Sequence, residues 1–442
     1  MHHIKIIMLI IILTILCHGS AVYAQENGKL DLVQCVDMAL KRSDRLKQSA
    51  ADIGEAEAGR IQARSGYFPR IDFAAESVRV NEVPSLDAGM LSIDFGADRY
   101  TSYGITVEQP LYLGGRTKAL INAVEKNINS ARERYSMQKQ AVILNTALVY
   151  LNILRLQAVV KVDEEALDLK KKHLKDIVSR REAGTVSKYE LIRAEAEKLG
   201  TEGILIGSVQ ELAEARHALS EVTGCSPDAV ITGPLKFRDV HADADKQIAS
   251  GLKGRHDLRA CREMVDAAAF KKRADKADYF PHFFVRGSTG MQKPEFGELG
   301  GEDKFNSVWN IGIGMRFMLF NGFESRGKLA AASHRISRME AECGFLKKRI
   351  ERDIRNICML LDKTSEIVRI QKEAVAKAEE ALKLVTDGYN TKVNTQLEVL
   401  DAQLHVSQRK KDLVNALFSH ESAQIRLEFI TGRLNTKWIR SR

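Results

Sequence analysis

Proline is scarce in this 442-residue chain, with seven in all, at positions 69, 84, 110, 227, 234, 281 and 294. Positions 111–226 and 295–442 contain none. Runs that long without proline predict long helices. Thirty glycines are too few for a fibre, six cysteines too few for a disulfide scaffold, and 44% hydrophobic residues too many for disorder. Beyond residue 20 there is no run of about 18 uncharged apolar residues, which excludes a multi-span helical membrane protein. Met or aromatic stripes that would suggest a cofactor box are also missing, so no cofactor is expected.

The one strongly apolar run, Ile6 to Cys17, follows Lys5 and precedes Gly19, Ser20 and Ala21. Val22-Tyr23-Ala24 is then a small-x-small cleavage signal before Gln25, and residues 1–24 read as a secretory signal peptide. An uncleaved anchor is disfavoured because the run is short for a span. A lipoprotein is disfavoured because Leu16 precedes Cys17. Without Cys17, an odd set remains: Cys35, Cys225, Cys261, Cys343 and Cys358. Cys225 and Cys261 flank a linker and are the candidate bridge, against the alternative that all are small buried residues. No CxxC or His-rich spacing supports a metal site. The formal charge of +9 is distributed among mixed-sign runs such as Lys347-Lys348-Arg349-Ile350-Glu351-Arg352-Asp353, the pattern of solvated helix faces rather than of a nucleic-acid surface.

A repeat runs through the mature chain. Tyr67-Phe68-Pro69 recurs as Tyr279-Phe280-Pro281, 212 positions later. Leu111-Tyr112-Leu113-Gly114 answers to Leu319-Phe320-Asn321-Gly322, and Leu191-Ile192-Arg193-Ala194 to Val399-Leu400-Asp401-Ala402, both 208 positions later. Pro227 and Pro234 mark the seam. The expected division is a first repeat at 25–233 and a second at 234–442. Strands are expected at about 70–81, 99–109, 281–289 and 306–318. Long helices are expected at about 117–183, 187–223, 324–386 and 395–432.

The strands announce themselves by alternation. Tyr103, Ile105 and Val107 share one face, and Trp309, Ile311, Ile313, Met315 and Phe317 another, each opposite Gly, Ser, Thr, Asn or charged neighbours. Apolar on one side and polar on the other suits a lipid-facing, water-lined barrel strand. Tyr67, Phe68, Tyr279 and Phe280 stand just before the strands, where membrane-interface aromatics belong. The alternative is two hairpins packed on a soluble helical core. A membrane barrel must close, and four strands of about ten residues cannot close one. Three chains would supply twelve.

Thr117 to Ala183 is a proline-free run that would span roughly 100 Å as one helix. Leu144, Leu148, Leu151, Leu167, Leu174 and Val178 form one predicted core seam, and Val368, Val375 and Leu382 another. Both long helices break at matching places, Glu182 to Lys188 and Asp387 to Asn394, so each folds back as a helical hairpin. Glu398 and Asp401 lie three apart beyond the second break and therefore on one helix face.

Four segments carry a family resemblance: Ala63-Arg64-Ser65-Gly66-Tyr67-Phe68-Pro69, Gln109-Pro110-Leu111-Tyr112-Leu113-Gly114-Gly115-Arg116, Arg181-Glu182-Ala183-Gly184-Thr185-Val186-Ser187 and Leu397-Glu398-Val399-Leu400-Asp401-Ala402-Gln403. In this order, inside a two-fold repeat with an export signal, they resemble the TolC-type outer-membrane efflux proteins over nearly all of the mature chain. The resemblance implies a mostly α fold with a small β part. It further implies a homotrimer in which a 12-stranded β-barrel in the outer-membrane lipid continues into a periplasmic α-helical barrel. Its implied partners are a periplasmic adaptor and an inner-membrane transporter, and substrates would pass without chemistry on the chain. Glu398 and Asp401 match the family's acidic constriction rings. Tyr389 matches an aromatic that tethers the closed state to an acidic residue of the first tip, here Glu190. The family's basic tether falls on Asn394, which cannot form a salt bridge, and Lys392 stands where the family often has glycine.

The remaining signals are weaker. Asp239, His241, Asp243 and Asp245 have calcium-ligand types but lie in the seam without the loop glycine, which favours a solvated linker. No Ser/His/Asp or paired-carboxylate arrangement suggests an enzyme. A periplasmic coiled-coil adaptor or scaffold is the competing function; it explains the heptads and the export but not two alternating hairpins. The second strand-to-helix corner lacks counterparts of Pro110 and Gly115, so the two copies should differ most in shape there.

Overall fold

The computed structural model describes residues 29–82, 85–89, 91–94, 98–293 and 304–440. Residues 1–24, expected to be a signal peptide, and Pro84 and Pro294 lie outside them. The chain is mostly helical. In order, its elements are β1 (Lys29–Leu30), α1 (Leu32–Arg42), α2 (Asp44–Arg64), β2 (Arg70–Arg79), β3 (Ser85–Ala88), β4 (Leu91–Asp94), β5 (Arg99–Leu113), α3 (Arg116–Glu182) and α4 (Lys188–Thr223). There follow β6 (Val230–Ile231), α5 (Ala244–Gly254), α6 (His256–Lys276), β7 (His282–Lys293), β8 (Asn306–Arg316), α7 (Glu324–Asn390), α8 (Gln396–Ile430) and α9 (Thr436–Arg440). Short 3-10 turns, Ser65–Tyr67 and Ala277–Tyr279, lead into β2 and β7. The matched elements have closely similar lengths: α3 and α7 are each 67 residues, and α2 and α6 each 21.

Two compact units share these elements. One takes in the chain up to Ser43, Lys139–Gln247 and Ile354 onward. Its core gathers Ile143, Ala147, Leu151, Ile153 and Leu154 of α3 with Cys35 and Val36 of α1, Leu212 and Leu219 of α4, and Ile425 of α8. By length and composition α3 is apolar enough to cross a membrane. Its most apolar stretch is nonetheless this core, which accounts for the apolarity by packing. Of the predicted seam, Leu151, Leu167 and Val368 are buried, whereas Val178 is exposed and its neighbour Ile177 is fully buried instead. A heptad read over so long a helix drifts, because 3.6 residues per turn do not divide seven. Asp31 starts α1 with a capping box, accepting from the Gln34 amide at 2.8 Å while the Gln34 side chain accepts from Asp31 N–H at 2.9 Å. The four seam residues take separate partners: Asp239 with Ser365 and Arg369, His241 with Asp362, Asp243 with its own backbone neighbours, and Asp245 with Arg355.

The other unit comprises Asp44–Gln138 and Ile248–Asp353. It holds one antiparallel four-stranded sheet in the order β2-β5-β7-β8. Pairing places Ile71 opposite Val107, Val107 opposite Gly287 and Gly287 opposite Ile311; the next rung is Phe73, Ile105, Thr289 and Trp309. Residues directly opposite one another share a face. One face is therefore apolar, and the other carries Asp72, Thr106, Ser288 and Asn310, with an ion pair joining Glu108 to Arg286.

β5 runs on through Pro110 to Leu113, beyond the expected end near 109, because a bulge between Pro110 and Tyr112 absorbs the missing proline donor. β8 stops at Arg316, short of the expected 318, and β7 extends to Lys293. At the corner after β5, Gly114 has φ +61° and Gly115 φ +81°. A Cβ at Gly114 would lie 2.6 Å from the Ala277 carbonyl oxygen. After β8, Gly322 (φ +64°) and Phe323 (φ +67°) hold the same left-handed conformation. The corners thus differ in strand length but not in this backbone step.

The cysteines pair differently from expectation. Cys225 is buried and free, and Cys261 is bonded to Cys343, with Cα atoms 5.9 Å apart. Cys225 and Cys261 belong to different units, whereas α6 packs against α7 and presents Cys261 to Cys343.

Candidate functional site

Two surfaces concentrate the predicted residues. The first is the pair of helical tips. At the first, α3 ends in a left-handed Gly184 (φ +73°), with Thr185 N–H donating to the Arg180 carbonyl at 2.9 Å. Ser187 then caps α4 by accepting from the Glu190 amide at 3.2 Å. The second tip repeats the scheme. Lys392 is left-handed (φ +64°), Val393 N–H donates to the Gly388 carbonyl at 2.8 Å, and Thr395 caps α8.

Glu398 closes that cap as a reciprocal capping box. Its Oε2 accepts from Thr395 N–H at 2.7 Å, from the Asn394 amide at 3.1 Å and from the Thr395 hydroxyl at 3.2 Å. The Thr395 N–H, joined by the Asn394 amide and the Thr395 hydroxyl, holds its carboxyl below the usual carboxylate range. The Thr-x-x-Glu spacing of 395 and 398 carries that capping signal in the sequence. Asp401 is exposed, with His405 Nε2 at 3.4 Å. It borders a cleft of about 540 Å³ together with Asp163, Lys170, Leu404 and Lys411. Asp163 is almost fully buried and paired with Lys411 at 2.5 Å.

Tyr389 and Glu190 are not hydrogen-bonded to each other among the described contacts. The Tyr389 ring lies under the Arg180 guanidinium, 4.6 Å from its centroid, and 6.0 Å from the His173 ring. Arg180 donates to the Asn390 side chain at 3.3 Å, and Gln396 Nε2 donates to His173 Nε2 at 3.2 Å. An amide nitrogen only donates, so His173 is neutral there and carries its proton on Nδ1. Burial, followed by nearby Lys170, holds the His173 pKa below the ordinary histidine range. Burial raises the Tyr389 phenol. Asn394 bonds Glu398 rather than the first tip, and Glu190 contributes its carbonyl, which accepts from Gln396 at 3.5 Å. His173, Arg180 and Gln396 were missed by sequence reasoning. Residues 173 and 180 are seven apart on one face of α3, the only hint available.

The second surface is the sheet. Ile71, Phe73, Trp309, Ile311, Ile313 and Met315 are all exposed, Ile313 to 79%. Tyr67, Phe68, Tyr279 and Phe280 are exposed beside the strand starts. The corner is tied by an ion pair between Arg116 and Asp278 and by Gln109 donating to the Tyr67 carbonyl at 3.2 Å.

The outer membrane efflux protein family matches in two blocks, residues 35–225 and 248–433. The outer membrane efflux protein BepC of Brucella suis is 20% identical over 426 residues, 95% of this chain and 89% of that protein. The outer membrane protein TolC of Escherichia coli is 21% identical over 92% of this chain and 83% of its own length. Among solved structures, the outer membrane protein VceC of Vibrio cholerae superposes with a TM-score of 0.76 at 22% identity, covering 91% of this chain and 96% of that one. The chain belongs to the outer membrane efflux protein family.

Proposed function

We propose that the chain is one third of an outer-membrane exit duct that conducts substrates passively. The observation that carries this reading is the four-stranded sheet with one apolar exposed face, one polar face and strands β2 and β8 at its edges. In hydrocarbon every backbone group must be paired, and an open edge is untenable. Three copies joined edge to edge would close twelve strands, the apolar faces outward to lipid and the polar faces lining water. Tyr67, Phe68, Tyr279 and Phe280 would mark the membrane interface.

The helices support association of copies as well. Tyr189, Ile192, Leu199 and Ile206 of α4 are exposed in a stripe at spacings of three and seven. Such a stripe calls for another helix, and a neighbouring copy supplies it. The matched element lengths and the 212 and 208 spacings, which differ by a net loss of four residues in the second copy, support a duplication, with residues 1–24 as a removable signal peptide. The helical tips would form the periplasmic mouth, with Glu398 and Asp401 repeated three-fold as cation-attracting rings and Tyr389 in the closing contacts. A periplasmic adaptor and an inner-membrane transporter would deliver the substrate, and no step of catalysis falls to this chain. A coiled-coil adaptor would need the helices but has no use for an amphipathic sheet.

Planar-bilayer recording tests the reading. Purified protein should form stable, cation-preferring channels and migrate as a heat-dissociable trimer from the outer-membrane fraction. Glu398→Ala/Asp401→Ala should weaken the cation preference; an unchanged preference would remove the ring assignment. A soluble monomer without conductance would remove the duct.

A further inference from the structure

The Cys261–Cys343 bridge lies on α6 and α7, outside both the sheet and the helical tips. It joins α6 to α7 across a sequence separation of 82 residues, and the loop it closes contains β7 and β8 entire. The two helical roots of the second hairpin are thereby tied together. The first hairpin has no such tie, because Ser49 and Tyr135 occupy the positions 212 and 208 earlier. The tie sits in the half whose corner is less constrained. β8 ends at Arg316, Met318, Leu319 and Phe320 are exposed, and Phe323 holds the left-handed position that Gly115 takes in the first corner.

The thiols are also sorted by environment. Cys35, Cys225 and Cys358 are free and buried. Burial pushes the Cys35 thiol up to about 12 and raises Cys358. A thiol that stays protonated inside a core is a poor nucleophile. Cys261 and Cys343 are only partly buried and stand on facing helices.

We propose that Cys261 and Cys343 are an oxidative maturation site, a dithiol converted to a disulfide by a disulfide-bearing protein oxidant after export, whose cross-link steadies the second hairpin's roots in the assembled trimer. The proposal rests on the reading that the chain is exported. One cysteine thiolate attacks the donor disulfide, forming a mixed disulfide and releasing one donor thiolate. The second cysteine thiolate then attacks the chain's own sulfur in that mixed disulfide and expels the donor's other thiolate. The pair loses two electrons and two protons, and the donor leaves as a dithiol. A loop this long makes the cross-link consequential, since it removes much of the unfolded chain's freedom.

The test uses the full chain recovered from cells. Under denaturing conditions, a maleimide that adds a mass tag should label three thiols of the processed protein without reductant and two more after reduction. The Cys261→Ser/Cys343→Ser variant should label three in both cases. Reduction should lower the trimer's dissociation temperature by roughly 5–10 °C, and the double variant should start at that lower value and not respond. If the double variant does not assemble, reduction of assembled wild-type protein supplies the same comparison. Free thiols at 261 and 343 in outer-membrane protein would overturn the proposal, as would equal dissociation temperatures for oxidised and reduced wild type. Absence from the outer membrane would instead count against the duct, since the thiol count can be read in any fraction.

Discussion

Gly184 and Lys392 stand 208 positions apart, each just past a 67-residue helix, with φ of +73° and +64°. Gly115 and Phe323, also 208 apart, hold +81° and +67°. The first half thus meets its left-handed positions with glycine, and the second meets two of the same positions with residues that pay for the conformation in Cβ repulsion. The turn's hydrogen bonds, which are alike at both tips, hold the backbone whatever the side chain. What differs between the halves is strain, and strain can be relieved or added by single substitutions.

The largest effect should come from the corner glycines. Gly114→Ala places a Cβ against the Ala277 carbonyl at a left-handed φ, whereas at Gly322 nothing lies within 4 Å of the new atom. Gly114→Ala should therefore destabilise by about 2–3 kcal/mol and Gly322→Ala by about 1 kcal/mol. Thermal unfolding of the purified protein measures both, and equal losses would erase the distinction between the corners. Next, Lys392→Gly should stabilise by about 1 kcal/mol and Gly184→Lys should cost a similar amount. A destabilising Lys392→Gly would mean that the lysine side chain makes a compensating contact.

The caps differ less. Thr395 has the reciprocal Glu398 box and Ser187 does not, so Thr395→Ala should cost about 1 kcal/mol and Ser187→Ala about half of that. The smallest effect is a pH dependence that rests on His173 and has no counterpart at the matching position, where Ala381 stands. His173 faces Lys170, Asp176 and Arg180 on its own helix, Tyr389 on α7 and Gln396 on α8. Its folded pKa lies below its unfolded value, so the neutral contact is fully present above the unfolded pKa and is lost as pH falls through the folded one. The tip should loosen modestly below about pH 6.5. Replacing His173 with Gln should flatten that dependence, which tryptic cleavage at the tip loops across pH 5–8 would detect.

Much of this fold was legible because it is periodic. Alternation at 103–107 and 309–315 and the proline-free runs placed the strands and helices within a few residues. The misses came where local signals conflict. Pro110 argues for ending a strand, and only the neighbouring β7 allows a bulge to carry β5 past it. Glu398 reads as a free acid until Thr395 and Asn394 are seen to bind it. Tyr389 was matched to Glu190, but the ring rests on Arg180 and His173, whose sequence separation from it exceeds 200 residues.

Side-chain spacing along the chain sufficed for the elements and the amphipathic character of the strands, because helix and strand repeat over distances of a few residues. Which cysteines bond, where a strand yields and which side chains meet at the tips had to wait for the fold. Those contacts join residues remote in sequence, and their energies depend on distances that no local pattern encodes.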